Sequence, residues 1–473
     1  MTPAADLKDE YDVAVVGAGP AGLAAATVAA GAGLATVLFD ENPAAGGQVW
    51  RGITTTPVQG RDILGADYWK GEGAVRAFTA SGAVHVPGAT VWSLSPEREL
   101  GISVGGVARM VRARRVILAT GALERPFPVP GWTLPGVMSI GGAQTLLKAS
   151  GLVPSGRVVL AGSGPLLWLF AHQILAAGGH IHAILDTSDA AARWTALKHA
   201  VPFARSPYLS KGLKLMAAVR RRTRVLRGIT SIAAEGAGRV ETVVFRRGAE
   251  GAQRMPVDVL LLHQGVVPNV NLAMAAGVEH RWDDGQLCFV PVLDGDGGTR
   301  LDGIAIAGDG AGIAGAEAAV ERGRLAALAA VRALKADARG LPDEGLVRRT
   351  LAKYEGARAF LDALYRPAKA FRVPSGDTIV CRCEEVTAQQ VIDNVRIGCT
   401  GPNQLKAFLR CGMGPCQGRL CGLTVTELIA ETRGISPAEV GYYRLRPPVK
   451  PITLSELAAM PKSEAAVAAV VRL

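Results

Sequence analysis

Cys381 and Cys383 form a C-x-C pair, and Cys416 and Cys421 form a C-x4-C pair, with thirty-two residues between the pairs. Two close thiol pairs joined by a short helical excursion make a sulfur cage for a metal, either zinc or a 2Fe–2S cluster. Gly412, Gly414, Pro415 and Gly418 lie among them and suit a backbone folded round such a centre. Cys411 competes for a ligand place, because Cys411 and Cys416 are also C-x4-C; Cys399 is a more distant candidate. Arg382, Arg410 and Arg419 sit beside these thiols, where they would offset the charge of a thiolate-bound cluster.

A second set of residues binds phosphate rather than metal. The apolar run 11–16 reads as a strand, followed by Gly17-Ala-Gly19-Pro20-Ala21-Gly22 and an alanine-rich helix. In this dinucleotide fingerprint the first glycine makes the tight turn, the second admits a pyrophosphate, and the third lets helix and strand pack closely. The helix N-terminus faces the phosphates. A further strand ends at Asp40, eighteen residues past Gly22, where a carboxylate can accept from a ribose hydroxyl, with Glu41 next to it. Gly46-Gly47-Gln48 follows. Thr120-Gly121 ends the strand-like run 115–119, and Gly308-Asp309-Gly310 ends the run 304–307. Together these motifs resemble the two-dinucleotide-binding flavoproteins with the glutathione-reductase-like fold. The resemblance implies FAD, with Asp309 bonding the ribityl chain and Gly121 lying near the cofactor. With a flavin to exchange electrons, a 2Fe–2S cluster outranks zinc.

A second fingerprint runs from Val158 through Gly162 and Gly164 to Leu167, which replaces the third glycine and should push the helix away or re-aim it. A Rossmann-like domain is expected here, holding NAD(P) or another adenine nucleotide, or standing as an empty relic. His263, on the return into the first domain, is expected to be a packed or capping histidine. No C-x-x-C accompanies the flavin motifs, which excludes dithiol chemistry of the thioredoxin-reductase kind. Cys288 is solitary and reads as a small core residue.

Composition sets the remaining bounds. The 473 residues are enough for two to four domains. With 49% hydrophobic residues and 58 glycines the chain is a glycine-rich α/β protein. Six of the seven cysteines fall between 381 and 421, which argues against a disulfide framework and for a reducing compartment. No secretory leader is expected from MTPAADLKDEYDV, so the location expected is cytoplasmic, with contact at the inner face of a membrane. The charge-free run 14–39 is long enough to span a membrane, but its glycines and proline at turn spacing favour a buried strand–turn–helix–strand, so no transmembrane span is expected. The net charge of +11 is concentrated: residues 190–234 hold ten Lys/Arg and no Asp or Glu. This is a solvated face or a docking surface. Nucleic acid is not expected, because no aromatic platform is interleaved with the charge.

From GAGPAG through GGQVWR, AGSGPLL, GVVPN and AGDGAG to CRCEEVT and CGMGPCQGRLCG, the chain resembles the A-type (α) subunits of opine oxidases, hydrogen cyanide synthase and hydroxyproline or proline dehydrogenases. Its end resembles the bacterioferritin-associated-ferredoxin-like 2Fe–2S domain, although the second cysteine pair there is more closely spaced. That resemblance implies Cys381, Cys383, Cys416 and Cys421 as ligands. The implied fold is α/β: a two-dinucleotide-binding flavoprotein with a small helical cluster domain. The expected divisions are an FAD domain (1–130 plus 270–340), a second Rossmann-like domain (137–268), a linker (341–376), the cluster domain (377–446) and a C-terminal arm (447–473) able to reach another subunit. The implied function is that of one component of a heteromeric oxidoreductase acting on CH–NH donors. A D-amino-acid-oxidase-like β subunit oxidises an opine, amino acid or imino acid, an FMN sits at the subunit interface in some relatives, and a quinone or cytochrome chain accepts the electrons.

Overall fold

The computed structural model describes residues 7–460. Its first sheet has the order β3 (Val84–Pro87), β2 (Thr36–Asp40), β1 (Glu10–Val16), β6 (Val107–Leu118), β5 (Glu99–Val104) and β4 (Thr90–Leu94), with the strand Ile304–Ile306 also pairing with β6. The strands around β1 are parallel, with Val13 beside Thr36 on one side and Arg115 on the other. Their central residues are buried on both faces, which explains why 14–39 carries no charge. The charge-free run is therefore β1, the helix α1 (Pro20–Gly31) and β2, as its turn residues require. Pro20 opens α1, where its missing N–H costs nothing. The alanines and glycine of α1 let the helix Ala316–Leu334 cross it closely: a Cβ on Gly323 would lie 2.1 Å from the Ala21 carbonyl oxygen.

A second sheet takes all its strands from between Val137 and Gln264, in the order Val225–Arg227, Ala183–Asp186, Val158–Ser163, Val259–Gln264 and Val137–Ser139, all parallel. The chain leaves and re-enters the first sheet through two short antiparallel strands, Ala122–Glu124 and Val266–Pro268. Leu167 is buried in the main hydrophobic cluster with Val158 and Leu160, so the third fingerprint position is spent on packing.

Residues 341–376 contain the helices Glu344–Glu355, capped by Asp343, and Arg358–Leu364. The apolar side of this polar stretch, with Val347 buried, is enough to seat it. The described part of the C-terminal arm packs on the first sheet. Val449 is buried against the first sheet, its N–H donates to the Trp92 carbonyl, Lys450 pairs with Glu41, and Glu456 bonds Ser103. Residues 461–473 of that arm lie outside the described residues.

The cysteine-rich unit begins with the hairpin Ile379–Cys381 and Val386–Thr387, and three helices and the short turn of helix Pro437–Val440 follow. Two of these, Ala388–Arg396 and Pro402–Leu409, lie between the cysteine pairs as expected. The unit is docked on the rest of the chain by Leu423, which packs with Val267, Cys288 and Leu123, and by Trp132 Nε1, which donates to the Ile379 carbonyl. A buried ion pair adds to this, Arg372 Nη1 to Glu427 Oε1 at 2.6 Å. Burial pushes the Glu427 carboxyl up, while Arg372 and the buried Arg125 pull it back. Arg372→Met would leave that carboxylate without its bonded partner, at a cost of about 3 kcal/mol. The apolar double replacement of Arg372 and Glu427 is expected to recover most of the loss in thermal denaturation, because both charges are then gone.

Candidate flavin and iron–sulfur sites

Four glycine-bearing segments converge at the carboxyl ends of β1, β2, β6 and Ile304–Ile306. The Gly17 N–H donates to the Phe39 carbonyl. With φ at +107°, a Cβ on Gly17 would lie 2.4 Å from the Ala119 carbonyl oxygen. A Cβ on Gly22 would lie 1.8 Å from the Gly17 carbonyl oxygen. The Gly46–Gly47 loop closes onto the fingerprint, with the Gly46 N–H donating to the Ala18 carbonyl and Gly47 so near Gly19 that a Cβ would meet its Cα at 2.6 Å. Backbone fits against backbone here, beside the first turn of α1. That is the shape a pyrophosphate needs.

Asp40 is buried at the end of β2. One carboxylate oxygen accepts the Ala18 N–H at 2.5 Å and the other accepts from the Asn42 backbone and side chain at 2.7 Å. It thereby orders the glycine turn. Glu41 points elsewhere, to Lys450. Asp309 Oδ1 accepts the Ala314 and Gly315 N–H groups at 2.9 Å, fixing the turn that enters the helix Ala316–Leu334. Thr120 Oγ1 donates to the Asn269 carbonyl, and Gly310 lies against Thr120 and Gly121. Gly308 packs on Ala21, which brings the last motif onto α1.

Lys148, which the motif reading missed, is buried beneath Gln48. Its Nζ donates to the Gln48 carbonyl, the Val49 carbonyl and Gln144 Oε1, each at 3.0 Å, tying the loop 46–50 to the helix Ile140–Ser150 of the second sheet's domain. Burial and the nearby Arg51 guanidinium push its ammonium down to about 7 from an ordinary 10.5. The unfolded chain then holds one more proton than the folded chain between those two values. Stability should accordingly rise with pH across that window. Thermal midpoints at about pH 7.5 and about pH 9.5 should differ in wild type by more than in Lys148→Met.

The second glycine turn is formed, with φ at +136° for Gly162 and +117° for Gly164. The ring of His263 lies 3.4 Å from where a Gly164 Cβ would be, and its Nδ1 is 2.6 Å from Glu124 Oε1. His263 is thus a packed, paired histidine.

In the cysteine-rich unit the Sγ atoms of Cys381, Cys411 and Cys421 all lie within 4.8 Å of one another. Hydrogen bonds from Cys411 and Cys421 pull the Cys381 thiol far down, and those two are pushed up in exchange. Cys383 is exposed, and its thiol is pushed up by burial with Cys416 as its neighbour. Five thiols therefore share one lobe, and Cys411 crowds Cys421 rather than Cys416. Cys399 stands apart, facing the Gly401 carbonyl. The glycines have steric reasons: Cβ atoms on Gly412 and Gly418 would strike the Tyr443 ring at 2.5 and 2.7 Å, and one on Gly414 would meet Cys383 Cβ at 2.2 Å. Tyr443, also missed in the sequence, donates its hydroxyl to Cys411 Sγ at 3.4 Å. Of the flanking arginines, Arg419 bonds the Cys416 carbonyl, Arg410 pairs with Glu384, and Arg382 stacks over Trp132. Buried soft thiols beside an open pair fit a 2Fe–2S cluster. Cys288, away from this lobe, is a buried core thiol pushed up to about 12 by burial.

Comparison with known proteins agrees with both centres. Residues 11–323 match the pyridine nucleotide-disulphide oxidoreductase family, and residues 379–431 match the BFD-like 2Fe-2S binding domain. The chain is 49% identical to the A subunit of the opine oxidase of Agrobacterium tumefaciens (strain Ach5), over 99% of this chain and 96% of that protein. It is 33% identical to the HcnB subunit of hydrogen cyanide synthase of Pseudomonas aeruginosa, over 93% and 97% of the two chains. The crystal structure of L-proline dehydrogenase from P. horikoshii shares the fold, with a TM-score of 0.72 and 19% identity over 95% of this chain and 79% of that one. Among the described residues no helix is long and apolar enough to cross a membrane. With an FAD cradle in its first domain and a 2Fe–2S domain at its end, this oxidoreductase belongs to the family of opine oxidase A subunits, within the pyridine nucleotide-disulphide-type flavoproteins.

Proposed function

We propose that the chain is the electron-carrying subunit of a heteromeric dehydrogenase or oxidase, in which a D-amino-acid-oxidase-like β subunit oxidises a C–N bond of an opine, amino acid or imino acid. A quinone or cytochrome chain at the inner face of a membrane takes the electrons, and an FMN at the subunit interface belongs to the same reading. The observation that carries it is the packing of the cluster unit directly on the flavin turn. Leu123, two residues past Gly121, shares one hydrophobic cluster with Leu423, two residues past Cys421. Asn271 Nδ2 adds a bond to the Gln417 carbonyl at 2.9 Å. The bound groups would supply conversion between two-electron and one-electron transfer, and the chain holds their sites in contact.

In this reading Gly17, Gly19, Pro20, Ala21 and Gly22 seat the pyrophosphate, and Asp40 the ribose. Gly47, Gln48, Thr120, Gly121, Gly308 and Asp309 frame the rest of the flavin. Cys381, Cys383, Cys416 and Cys421 hold the cluster. The test compares the chain alone with the chain co-purified with its β partner, using opines and amino acids as donors and an artificial dye as acceptor. Turnover by the complex alone supports the proposal, and full turnover by the lone chain overturns it. The positive φ at Gly162 and Gly164 favours a second reading, a self-sufficient NAD(P)H-dependent reductase. That reading requires NADH or NADPH to bleach the flavin in the isolated chain.

A further inference from the structure

The acid-free segment 190–234 presents an unusual surface. Within it the helix Ala190–Leu197 and the short helix Ala200–Ala204 follow each other almost without a break. Trp194, Leu197 and Val201 recur at the i, i+3, i+7 spacing of one helical face. All three are exposed, at 76%, 56% and 63%. The inward side is accounted for: Ala196 and Phe203 are buried, and Phe203 stacks on Phe360 at 4.1 Å. The apolar residues outside are therefore not displaced core.

Arg193, Lys198 and Arg205 border this stripe and are exposed, and none of them makes an ion pair with another described residue. Of the ten basic residues in the segment, Lys211 is the one with a carboxylate partner among the described residues, Asp67.

We infer that the face carrying Trp194, Leu197 and Val201, with its rim of Arg193, Lys198 and Arg205, is a peripheral docking site for an anionic phospholipid surface. Charge complementarity selects this occupant. Protein interfaces are depleted in lysine. A helix lying in a bilayer interface combines Trp and Leu on one side with Lys and Arg along the border, and tryptophan settles at the headgroup level. Residues 190–234 themselves carry ten basic and no acidic residues, with Asp189 just outside them capping the helix, and this excess suits an extended anionic sheet. Because none of the described helices can span a bilayer, such contact is made from one side. The inference goes beyond the membrane location in the proposed function by naming the contact, and its test does not depend on turnover.

The experiment is sedimentation of the flavin-loaded full chain, with its β partner where the two co-purify, with vesicles of phosphatidylcholine alone or mixed with phosphatidylglycerol. Binding to the phosphatidylglycerol vesicles should exceed that to neutral ones at least tenfold and fall steeply with salt. Trp194→Ser with Leu197→Ser, and separately Lys198→Glu with Arg205→Glu, should each remove most of that binding. Both variants should keep the flavin content and dye-linked activity of wild type, since these residues lie outside the cofactor sites. Equal binding to neutral and anionic vesicles, or binding unchanged in both variants, overturns the inference. So does protection of this face by the β subunit in hydrogen exchange of the complex, which would make it a protein interface. Failure of the proposed C–N oxidation would leave these vesicle results standing, so the two readings fail separately.

Discussion

Cys383→Ser is expected to give a protein that stays yellow but has lost its iron and sulfide, together with the paramagnetic signal that a reduced 2Fe–2S cluster shows. Cys381→Ser, Cys416→Ser and Cys421→Ser should do the same. A thiolate missing from a four-cysteine site removes one of four bonds to iron, and serine is a poor replacement for soft sulfur. Iron should fall from about two atoms per chain to near zero. Cys411→Ser separates the alternatives. Its sulfur lies with Cys381 and Cys421, while Cys383 is partnered by Cys416. A cluster that uses both members of the C-x-C pair therefore needs Cys416 on the Cys383 side, and the open choice falls between Cys411 and Cys421. Retention of full iron in Cys411→Ser assigns Cys411 as a neighbour bonded by Tyr443. Loss of iron there, with retention in Cys421→Ser, would overturn the ligand set.

Gly22→Ala is expected to abolish flavin retention. The added methyl would sit 1.8 Å from the Gly17 carbonyl oxygen and 3.3 Å from Ala119 Cβ, in a turn already closed by two strands. Neither neighbour is the free end of a side chain, so α1 would have to move off β1 and carry its first turn away from the pyrophosphate. Overpacking of this kind costs about 3 kcal/mol, which corresponds to roughly a hundredfold in affinity. Gly33→Ala is the control. Gly33 has φ at +76° but nothing within 4 Å of a Cβ, so its cost is local strain of about 1 kcal/mol and the flavin should stay. Flavin absorbance per chain reads both. Full flavin content in Gly22→Ala would sink the assignment of the first fingerprint.

The glycine turns and the cysteine-rich unit could be read from residue order, because each is carried by short segments. The turn Gly17–Gly22 and the acid at Asp40 are local: a strand, a tight turn and a helix start specify one another within thirty residues. The same holds for the thiol pairs Cys381/Cys383 and Cys416/Cys421, and for the buried run whose length alone would have suited a membrane span. The fold class follows from these motifs and their order along the chain. What spacing could not reveal was which distant segments touch. Lys148 has no motif, and its role emerges only when the helix carrying it is laid under Gln48 from another domain. Arg372 and Glu427 lie fifty-five residues apart and read as ordinary surface charges until both are buried together. Cys411 looked like a rival to Cys416 because spacing counts residues along the chain. In three dimensions a glycine-rich loop wraps the Tyr443 ring and turns Cys411 towards Cys421 instead. Residues 341–376 read as a linker from their prolines and charges, and the stretch after Pro447-Pro448 as an extended arm, although one buried side chain such as Val347 or Val449 is enough to seat each on the fold. Sequence alone thus determined which local backbone shapes and ligand types exist. Burial and contact between remote segments depend on how the sheets and helices pack, and that was decided only by the tertiary structure.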